Sequence, residues 1–377
     1  MMFDTIKIKI PDDLFKIRND FYFNQKTTSG ESGYTNIERS FNQTFIREQK
    51  QKGIYVPQYY LENNKYGGVE KRCLVLQISL PKLLYGSSIY EIKSYDWDMV
   101  RDKILAFLAT ISVEATAYSV SHSIITSLSF AKNIDLQDWC SPRQAIELLA
   151  RFNYFPRSEC NLKLIQGMMG ATLKYFNYNA SLTFYDKLPE IVKNAKTDVE
   201  KMIAQEYTKY LKGKLTYKPE LSFETLRVEA TLQTKTAVIQ KAQSFFHTKK
   251  TEFTLYELFN YFFCKNVLTS EVKKVLGHPL KEVVLLAGFE KPVIRAQVNK
   301  ICKNSHSRAE LIEAINRVSD IGIASYRDEV LNTYSERTWF RRQRQLRELA
   351  GRLEIPIDKN LGRPSTELID YILKHFD

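Results

Sequence analysis

The sequence predicts an α+β protein. A mainly antiparallel sheet carries helices on one face, and an all-helical domain follows it toward the C-terminus. Within residues 1–245, several segments alternate apolar and polar residues at period two, which is typical of strands with one buried face. Segments with apolar spacings of three and four, typical of helices, lie between them. After residue 246 strand patterns end and helical periods prevail. We therefore expect two domains, residues 1–245 and residues 246–377.

The first half of residues 1–245 begins with a predicted strand at the N-terminus. Ile6, Ile8 and Ile10 alternate with polar residues, and Pro11 ends the strand. Further elements follow in order: a short strand near Tyr55–Leu61, a strand over Arg72–Leu80, and a helix whose apolar positions run from Trp97 to Ile111.

The second half of residues 1–245 begins within a β-branched stretch over residues 113–131. Period two points Leu128 and Phe130 toward a core, with Ser127 and Ser129 on the opposite face. Several further elements complete this half: a helix that Ser141 caps and that runs to about Phe152, a hairpin over residues 170–187 with its turn at Asn177–Asn179, a long helix from Pro189 to about Leu211, and a strand over Leu226–Leu232.

Helical signals continue to the C-terminus. The segment Ser307–Glu310 has the pattern of a capping box, which marks a helix start. A short terminal helix is predicted from Thr366.

Composition restricts the class of protein. The 377 residues include 55 Lys+Arg against 43 Asp+Glu, a formal net charge of +12, with 22 Tyr, 22 Phe and 3 Trp. This is a globular composition, which excludes a disordered, collagen-like or low-complexity chain. A basic, aromatic-rich protein suits a nucleic-acid partner.

Cysteine spacing and hydropathy suggest the compartment. The five cysteines are scattered, odd in number and without a C-x-x-C pair, which argues against a disulfide framework or a zinc ribbon. The N-terminus shows no apolar signal-peptide core, and no apolar run approaches the ~20 residues of a membrane span. We expect a cytoplasmic protein without a membrane partner.

One face of the predicted sheet collects residues that suit phosphoryl transfer. Period two places Tyr185 with Lys187, and Arg227 with Glu229, on the polar faces of their strands. Glu190, in the first turn of the next helix, is expected to lean over the same surface.

These residue types have complementary roles at a phosphate. A tyrosine hydroxyl, with an ordinary pKa of ~10, needs a nearby cation such as Lys187 to become a phenolate nucleophile. Arg227, and a metal held by Glu229, would neutralise the phosphate. The alternative from spacing alone is half-buried tyrosine packing and a cross-strand charge pair. The pattern Tyr-x-Lys also begins at Tyr207 and Tyr210.

Four blocks, in order, resemble the replication initiators of the filamentous-phage gene II type, a family of rolling-circle DNA-nicking proteins of phages and plasmids. They are Leu76–Gly86, Ile124–Asn133, Tyr185–Ile191 and Leu226–Leu232. The third block resembles the family's Y-x-K-x-x-E-L, and the fourth its L-R-F-E-x-R-L. The similarity covers roughly residues 1–245, and more faintly the helical region.

The resemblance implies a function and a site. It implies an enzyme that binds single- and double-stranded DNA at a replication origin, nicks one strand through a phosphotyrosine intermediate, rejoins it later, and works with host replication proteins. Tyr185 would be the nucleophile, Lys187 and Arg227 its catalytic partners, and Glu229 with Glu190 the ligands of Mg²⁺ or Mn²⁺.

The sequence also departs from that pattern. The wider superfamily often holds its metal with two histidines on one strand, whereas the five histidines here are isolated. Ser127 and Ser129 stand where the family has Arg and Asp. Two alternatives therefore stay open: a mobilisation relaxase, and a non-catalytic DNA-binding protein on the same scaffold.

The helical region holds a further candidate. Arg337, Arg341 and Arg344 recur at spacings of four and three, so they share one helix face, with Trp339 and Leu346 on another. This face would contact the phosphates of duplex DNA, or be an ordinary solvated surface.

Overall fold

The computed structural model describes residues 2–31, 35–66, 69–92, 96–136, 139–150, 161–167, 170–213, 222–276, 291–350 and 365–376. It confirms the α+β class. Ten described strands form one antiparallel sheet, and two short strands form a second. The strands are β1 (Met2–Pro11), β2 (Phe15–Ile17), β3 (Gln25–Glu31), β4 (Thr35–Phe41), β5 (Gln58–Tyr66), β6 (Val69–Ser79), β7 (Val113–Ala115), β8 (Ile124–Asp135), β9 (Asn161–Gly167), β10 (Gly170–Phe176), β11 (Ala180–Asp186) and β12 (Thr225–Leu232).

Helices occupy the connections and the C-terminal region. The described α-helices are α1 (Gln43–Gln51), α2 (Leu80–Tyr85), α3 (Trp97–Thr110), α4 (Ala117–Ser121), α5 (Pro142–Leu149), α6 (Lys187–Asn194), α7 (Asp198–Leu211), α8 (Lys235–Phe246), α9 (Leu255–Leu258), α10 (Tyr261–Leu276), α11 (Lys291–Ile301), α12 (Ser305–Thr333), α13 (Glu336–Ala350) and α14 (Ser365–Lys374). Within the described residues, none of these helices combines the length and apolar character that crossing a membrane requires.

The order of the large sheet is β3-β4-β5-β6-β1-β8-β12-β11-β10-β9. The two central strands, β1 and β8, each begin one half of it. In the first half, β3 to β6 follow one another from the outer edge toward the centre, and β6 pairs with β1. In the second half, β9 to β12 do the same, and β12 pairs with β8. The two halves therefore share one topology and meet at the antiparallel β1–β8 pair.

One face of this sheet is apolar, as the alternation predicts. Ile6 and Ile8 of β1, Leu128 and Phe130 of β8, and Val228 of β12 are each fully buried. Helical residues pack against them in two large core clusters, including Ile104 of α3, Val238 of α8 and Phe263 of α10. The other cluster joins sheet residues to residues of the C-terminal region, namely Leu268, Trp339 and Leu346. Helices α3, α8 and α10 thus cover the apolar face, whereas the start of α6 contacts the polar face.

Several elements differ from the sequence predictions. The helix expected from Pro189 to Leu211 is two helices, because Thr197 caps α7 by accepting a hydrogen bond from the Glu200 N–H. The segment near Tyr55 becomes β5, which begins only at Gln58. Ser307 lies inside α12, whose cap is Asn304.

Other predicted boundaries agree with the structure. Ser141 caps α5, and the hairpin turns between Phe176 and Ala180. The predicted end of α5 at Phe152 lies outside the described residues. The division into two domains stays a prediction.

Candidate active site

The polar face of β11 and β12 carries the predicted site. Because β11 and β12 are antiparallel neighbours, Tyr185 lies directly opposite Arg227, and Thr183 lies opposite Glu229. Arg227 and Glu229 alternate with buried Leu226, Val228 and Ala230, so both face away from the core.

The Tyr185 hydroxyl is tied to a carboxylate. It donates a hydrogen bond to Oε2 of Glu229 across 3.2 Å. Ser129 Oγ donates to the other carboxylate oxygen, Oε1, across 2.6 Å. Tyr185 and Glu229 are both half-buried, so a substrate can approach them, whereas Ser129 is buried.

Arg227 lies beneath this pair as a buried cation. Its Nη2 donates to Asp4 Oδ1 at 2.7 Å and its Nη1 donates to Asn133 Oδ1 at 3.0 Å. Its Nε is buried without a hydrogen-bond partner among the described residues. The guanidinium is therefore fixed close to Tyr185 and is 1 % exposed.

Lys187 supplies a second buried cation, although it is not on the strand. It is the first residue of α6, and its Nζ lies 5.3 Å from the centroid of the Tyr185 ring. The same Nζ pairs with Glu190 Oε2 at 2.8 Å, and Asn194 donates to the other oxygen of Glu190. The helix start thus holds the ammonium against the tyrosine ring.

Burial sets the protonation of the central pair. It raises the pKa of Tyr185 well above its ordinary value, against the opposing pull of Arg227, so the phenol is neutral at pH 7. Burial, with a contribution from the Asp4 carboxylate, likewise raises the pKa of Glu229. A carboxylate with a raised pKa is a stronger base, and it is already hydrogen-bonded to the tyrosine proton.

The pKa values of the two buried cations, Lys187 and Arg227, are shifted in opposite directions. Burial lowers the pKa of Lys187, and the neighbouring Arg227 adds to this effect. Burial is the largest single effect on Arg227 and acts against its charged form, but the combined attraction of Asp4, Tyr185, Glu229 and Glu91 outweighs it and leaves the pKa of Arg227 raised. The pKa of Glu190 is lowered, because the Lys187 ammonium outweighs the effect of burial. Arg227 therefore stays charged, and the Lys187–Glu190 ion pair is favoured.

The expected metal ligands differ in how well they fit. Burial, followed by the Asp4 carboxylate, raises the pKa of Glu229 despite the nearby Arg227 and Lys187, so a bound Mg²⁺ or Mn²⁺ would favour its charged form. Glu190 is already neutralised by Lys187. Among the described residues, no three His, Cys, Asp or Glu side chains cluster as a metal site. Glu229 is thus the carboxylate that fits, and the metal stays a prediction.

Sequence reasoning missed Asp4 and Asn133, the two partners of Arg227. Asp4 lies 223 residues from Arg227 along the chain, and no local spacing connects them. The only available signal was Asp4's place in the first strand. His122, which is isolated in the sequence, stacks on Tyr118, and its Nδ1 lies 3.0 Å from the Tyr118 carbonyl oxygen.

The Asp4–Arg227 pair gives a stability prediction. Asp4→Ala should lower the free energy of unfolding by about 3–5 kcal/mol, because it leaves a buried guanidinium without its counter-charge. Urea unfolding at neutral pH measures this difference. As the control, Glu348→Ala, which breaks the exposed Arg344–Glu348 pair, should cost no more than about 1 kcal/mol. Equal losses in the two variants would show that the Asp4 pair is not a structural requirement of the site.

The arginines of α13 lie where the helix period predicts. Arg337, Arg341 and Arg344 are all exposed, whereas Trp339 and Leu346 are buried against the core. These three arginines, which we call the arginine stripe, therefore lie on the protein surface. They are far from Tyr185 in sequence.

Comparison with known proteins gives little beyond the geometry. No family model matches the sequence, and no curated protein matches it. Among solved structures, the chain is similar to the rolling circle replication initiator protein from Geobacillus stearothermophilus, with a TM-score of 0.25 and 12% sequence identity over 64% of this chain and 77% of that chain. A similarity this weak carries no argument about activity.

Proposed function

We propose that this protein is a rolling-circle replication initiator that nicks and rejoins one DNA strand through Tyr185. The observation that carries the proposal is the hydrogen bond from the hydroxyl of the half-buried Tyr185 to Glu229, with Lys187 close to the tyrosine ring and Arg227 directly opposite it on β12. A nucleophile next to a base, with the base held by a third group, is a recurring catalytic arrangement. Here Ser129 is the third group.

The cutting step follows from these positions. The Tyr185 oxygen attacks the phosphorus and its proton passes to Glu229. A tyrosine–phosphate bond forms, the bond from phosphorus to the 3′-oxygen breaks, and that oxygen takes a proton from water. The protein keeps the 5′-phosphate, and the free 3′-hydroxyl serves as a primer for the host replication proteins. The reverse reaction rejoins the strand, since the ester conserves the bond energy.

The two buried cations act on the tyrosine and not on the substrate directly. Arg227 and Lys187 are almost fully covered, so we assign them the stabilisation of the phenolate that forms as Tyr185 loses its proton. When bound, Mg²⁺ or Mn²⁺ would supply Lewis-acid charge at the phosphate; Glu229 would then hold the ion, and the tyrosine proton would pass to water instead.

The arginine stripe of α13 supplies a binding surface under this proposal. Replacing Arg337, Arg341 and Arg344 together with glutamine should weaken duplex binding at all sequences. The slope of log K against log salt should fall by about 2.7 units, at ~0.9 per phosphate contact. Fluorescence anisotropy with labelled duplex DNA across a salt series measures this slope.

A matched control separates phosphate contact from a general loss of charge. Arg47, Lys103 and Arg143 are exposed on α1, α3 and α5, the helices that pack on the apolar face. Their triple glutamine variant has the same net charge as the stripe variant and should keep the slope. An unchanged slope in the stripe variant would reduce the stripe to a solvated helix face.

A further inference from the structure

A second polar region lies on the same sheet face, in the first half of the sheet. A groove of ≈ 510 Å³ opens there between β1, β4, β5 and the beginning of α8. Four of its lining residues are cations and one is an anion. These residues are Lys7, Lys9, Arg39, Lys235 and Glu62.

The positive charge in this groove is only partly compensated. Glu62 pairs with Lys9, and Lys235 pairs with Glu252. Lys7 and Arg39 instead approach the ring of Tyr60, with Lys7 Nζ at 5.9 Å and Arg39 Cζ at 5.3 Å from its centroid. The Nε of Arg39 is buried and has no hydrogen-bond partner in the described part of the chain. A buried N–H group without a hydrogen-bond partner destabilises the folded protein, so a ligand that offers an acceptor oxygen would bind favourably there.

The groove and the Tyr185 site occupy corresponding strands. Counted outward from the centre, β1 and β5 are the first and third strands of their half, as β8 and β11 are of theirs. Tyr60 and Tyr185 both lie on the third strand. At the groove, however, the nearby carboxylate of Glu62 is engaged by Lys9, so this region has the cations of a phosphate site but not the base of a cutting site.

The polar face is continuous between the two regions. Lys7 lies opposite Ser127 of β8, and Ser129 two residues later donates to Glu229. From β1 to β11 there are three strand steps, or roughly 15 Å at ~4.8 Å each. A single DNA strand that places a phosphate at Tyr185 can therefore reach the groove within a few nucleotides.

We propose that the groove formed by Lys7, Lys9, Arg39 and Lys235 binds the phosphodiester backbone of the DNA strand that is cut, away from the scissile phosphate. The proposal rests on the proposed function for the identity of the strand. Lys7 and Arg39 contact phosphate oxygens, and the half-buried Tyr60, whose ring both cations approach, offers an aromatic side chain beside the groove on which a base can stack. The groove thus holds the strand and does not cut it.

Anisotropy with fluorescent oligo(dT) of graded length tests the groove without the origin sequence. The variant Lys7→Gln/Arg39→Gln should bind long oligo(dT) more weakly. Its salt slope should fall by about 1.4 units, at ~0.7 per phosphate contact on a single strand. The control, Arg47→Gln/Lys103→Gln on the helix layer, removes one arginine and one lysine and should keep the wild-type slope. The single variant Lys235→Gln, at a half-buried position, should lower the slope by about 0.7 units on its own, so the test holds even if the double variant folds poorly.

The outcomes separate the groove from the cutting site. An unchanged slope in both groove variants overturns the groove proposal, whatever happens at Tyr185. A reduced slope in the groove variants supports it, even if the wild-type protein never forms a covalent adduct, in which case the proposed function alone fails. Equal losses in the groove variants and the control overturn it as well, since only net charge would then matter.

Discussion

Tyr185→Phe should abolish nicking of supercoiled origin DNA, with a loss of roughly 10⁴-fold or more, and leave DNA affinity nearly unchanged. The substitution removes one oxygen atom, which is the proposed nucleophile. The ring remains against Lys187, so the site keeps its shape. The lost hydrogen bond to Glu229 should cost only about 1 kcal/mol of stability.

Two other tyrosines serve as matched controls. Tyr207 and Tyr210 share the Tyr-x-Lys pattern but lie on α7, where they pack around Phe223. Their phenylalanine variants should nick normally. Loss of nicking in either variant, with full activity in Tyr185→Phe, would move the nucleophile to α7 and refute the assignment. If all three variants bind DNA and none, nor the wild type, nicks it, the protein is a non-catalytic DNA-binding protein.

Glu229→Gln should lower nicking by two to four orders of magnitude, roughly the contribution of a general base. The amide keeps the shape of the side chain and can still accept the Tyr185 hydrogen bond, but it cannot take up the proton. Single-turnover cleavage of an oligonucleotide measures this step. In the wild type the rate should rise with pH through the raised pKa of Glu229, and this rise should disappear in the variant.

The same substitution has a signed effect on stability. Because the pKa of Glu229 is higher in the folded than in the unfolded protein, the folded state binds more protons, and wild-type stability should fall as pH rises from the ordinary carboxylate pKa through the folded value. Glu229→Gln lacks this titration, so its melting temperature should exceed that of the wild type at neutral pH and approach it in acid. A less stable variant with near-normal nicking would instead return Glu229 to a purely structural role.

Much of the central sheet is readable from sequence because its strands alternate. β1, β8 and β12 each bury one face, and the period-two pattern follows directly from that burial. The strands β3 and β4 have polar sequences without a clear alternation, and they form through backbone pairing at the edge of the sheet. Their side chains do not alternate in polarity, so the period-two rule does not identify these strands.

In the candidate site too, residues placed by local strand rules could be predicted from the sequence, whereas contacts between residues far apart in the chain could not. Tyr185, Arg227 and Glu229 were placed together because antiparallel pairing and alternation are local rules. Lys187 was expected on the strand, but it begins α6 and reaches the tyrosine ring from there. Asp4 could not be foreseen, because its contact depends on how β1 lies relative to β12 across the sheet. The roles assigned to these residues stay proposals.

The most direct test of the central claim is to find the atom that becomes linked to DNA. The wild-type protein is incubated with origin DNA and a divalent cation, denatured, digested with protease and nuclease, and analysed by tandem mass spectrometry. We expect a nucleotide attached through its 5′-phosphate to Tyr185, in the peptide that contains Lys187 and Glu190. A nucleotide on another residue, or nicked DNA with free 5′-phosphate ends and no adduct, would contradict it.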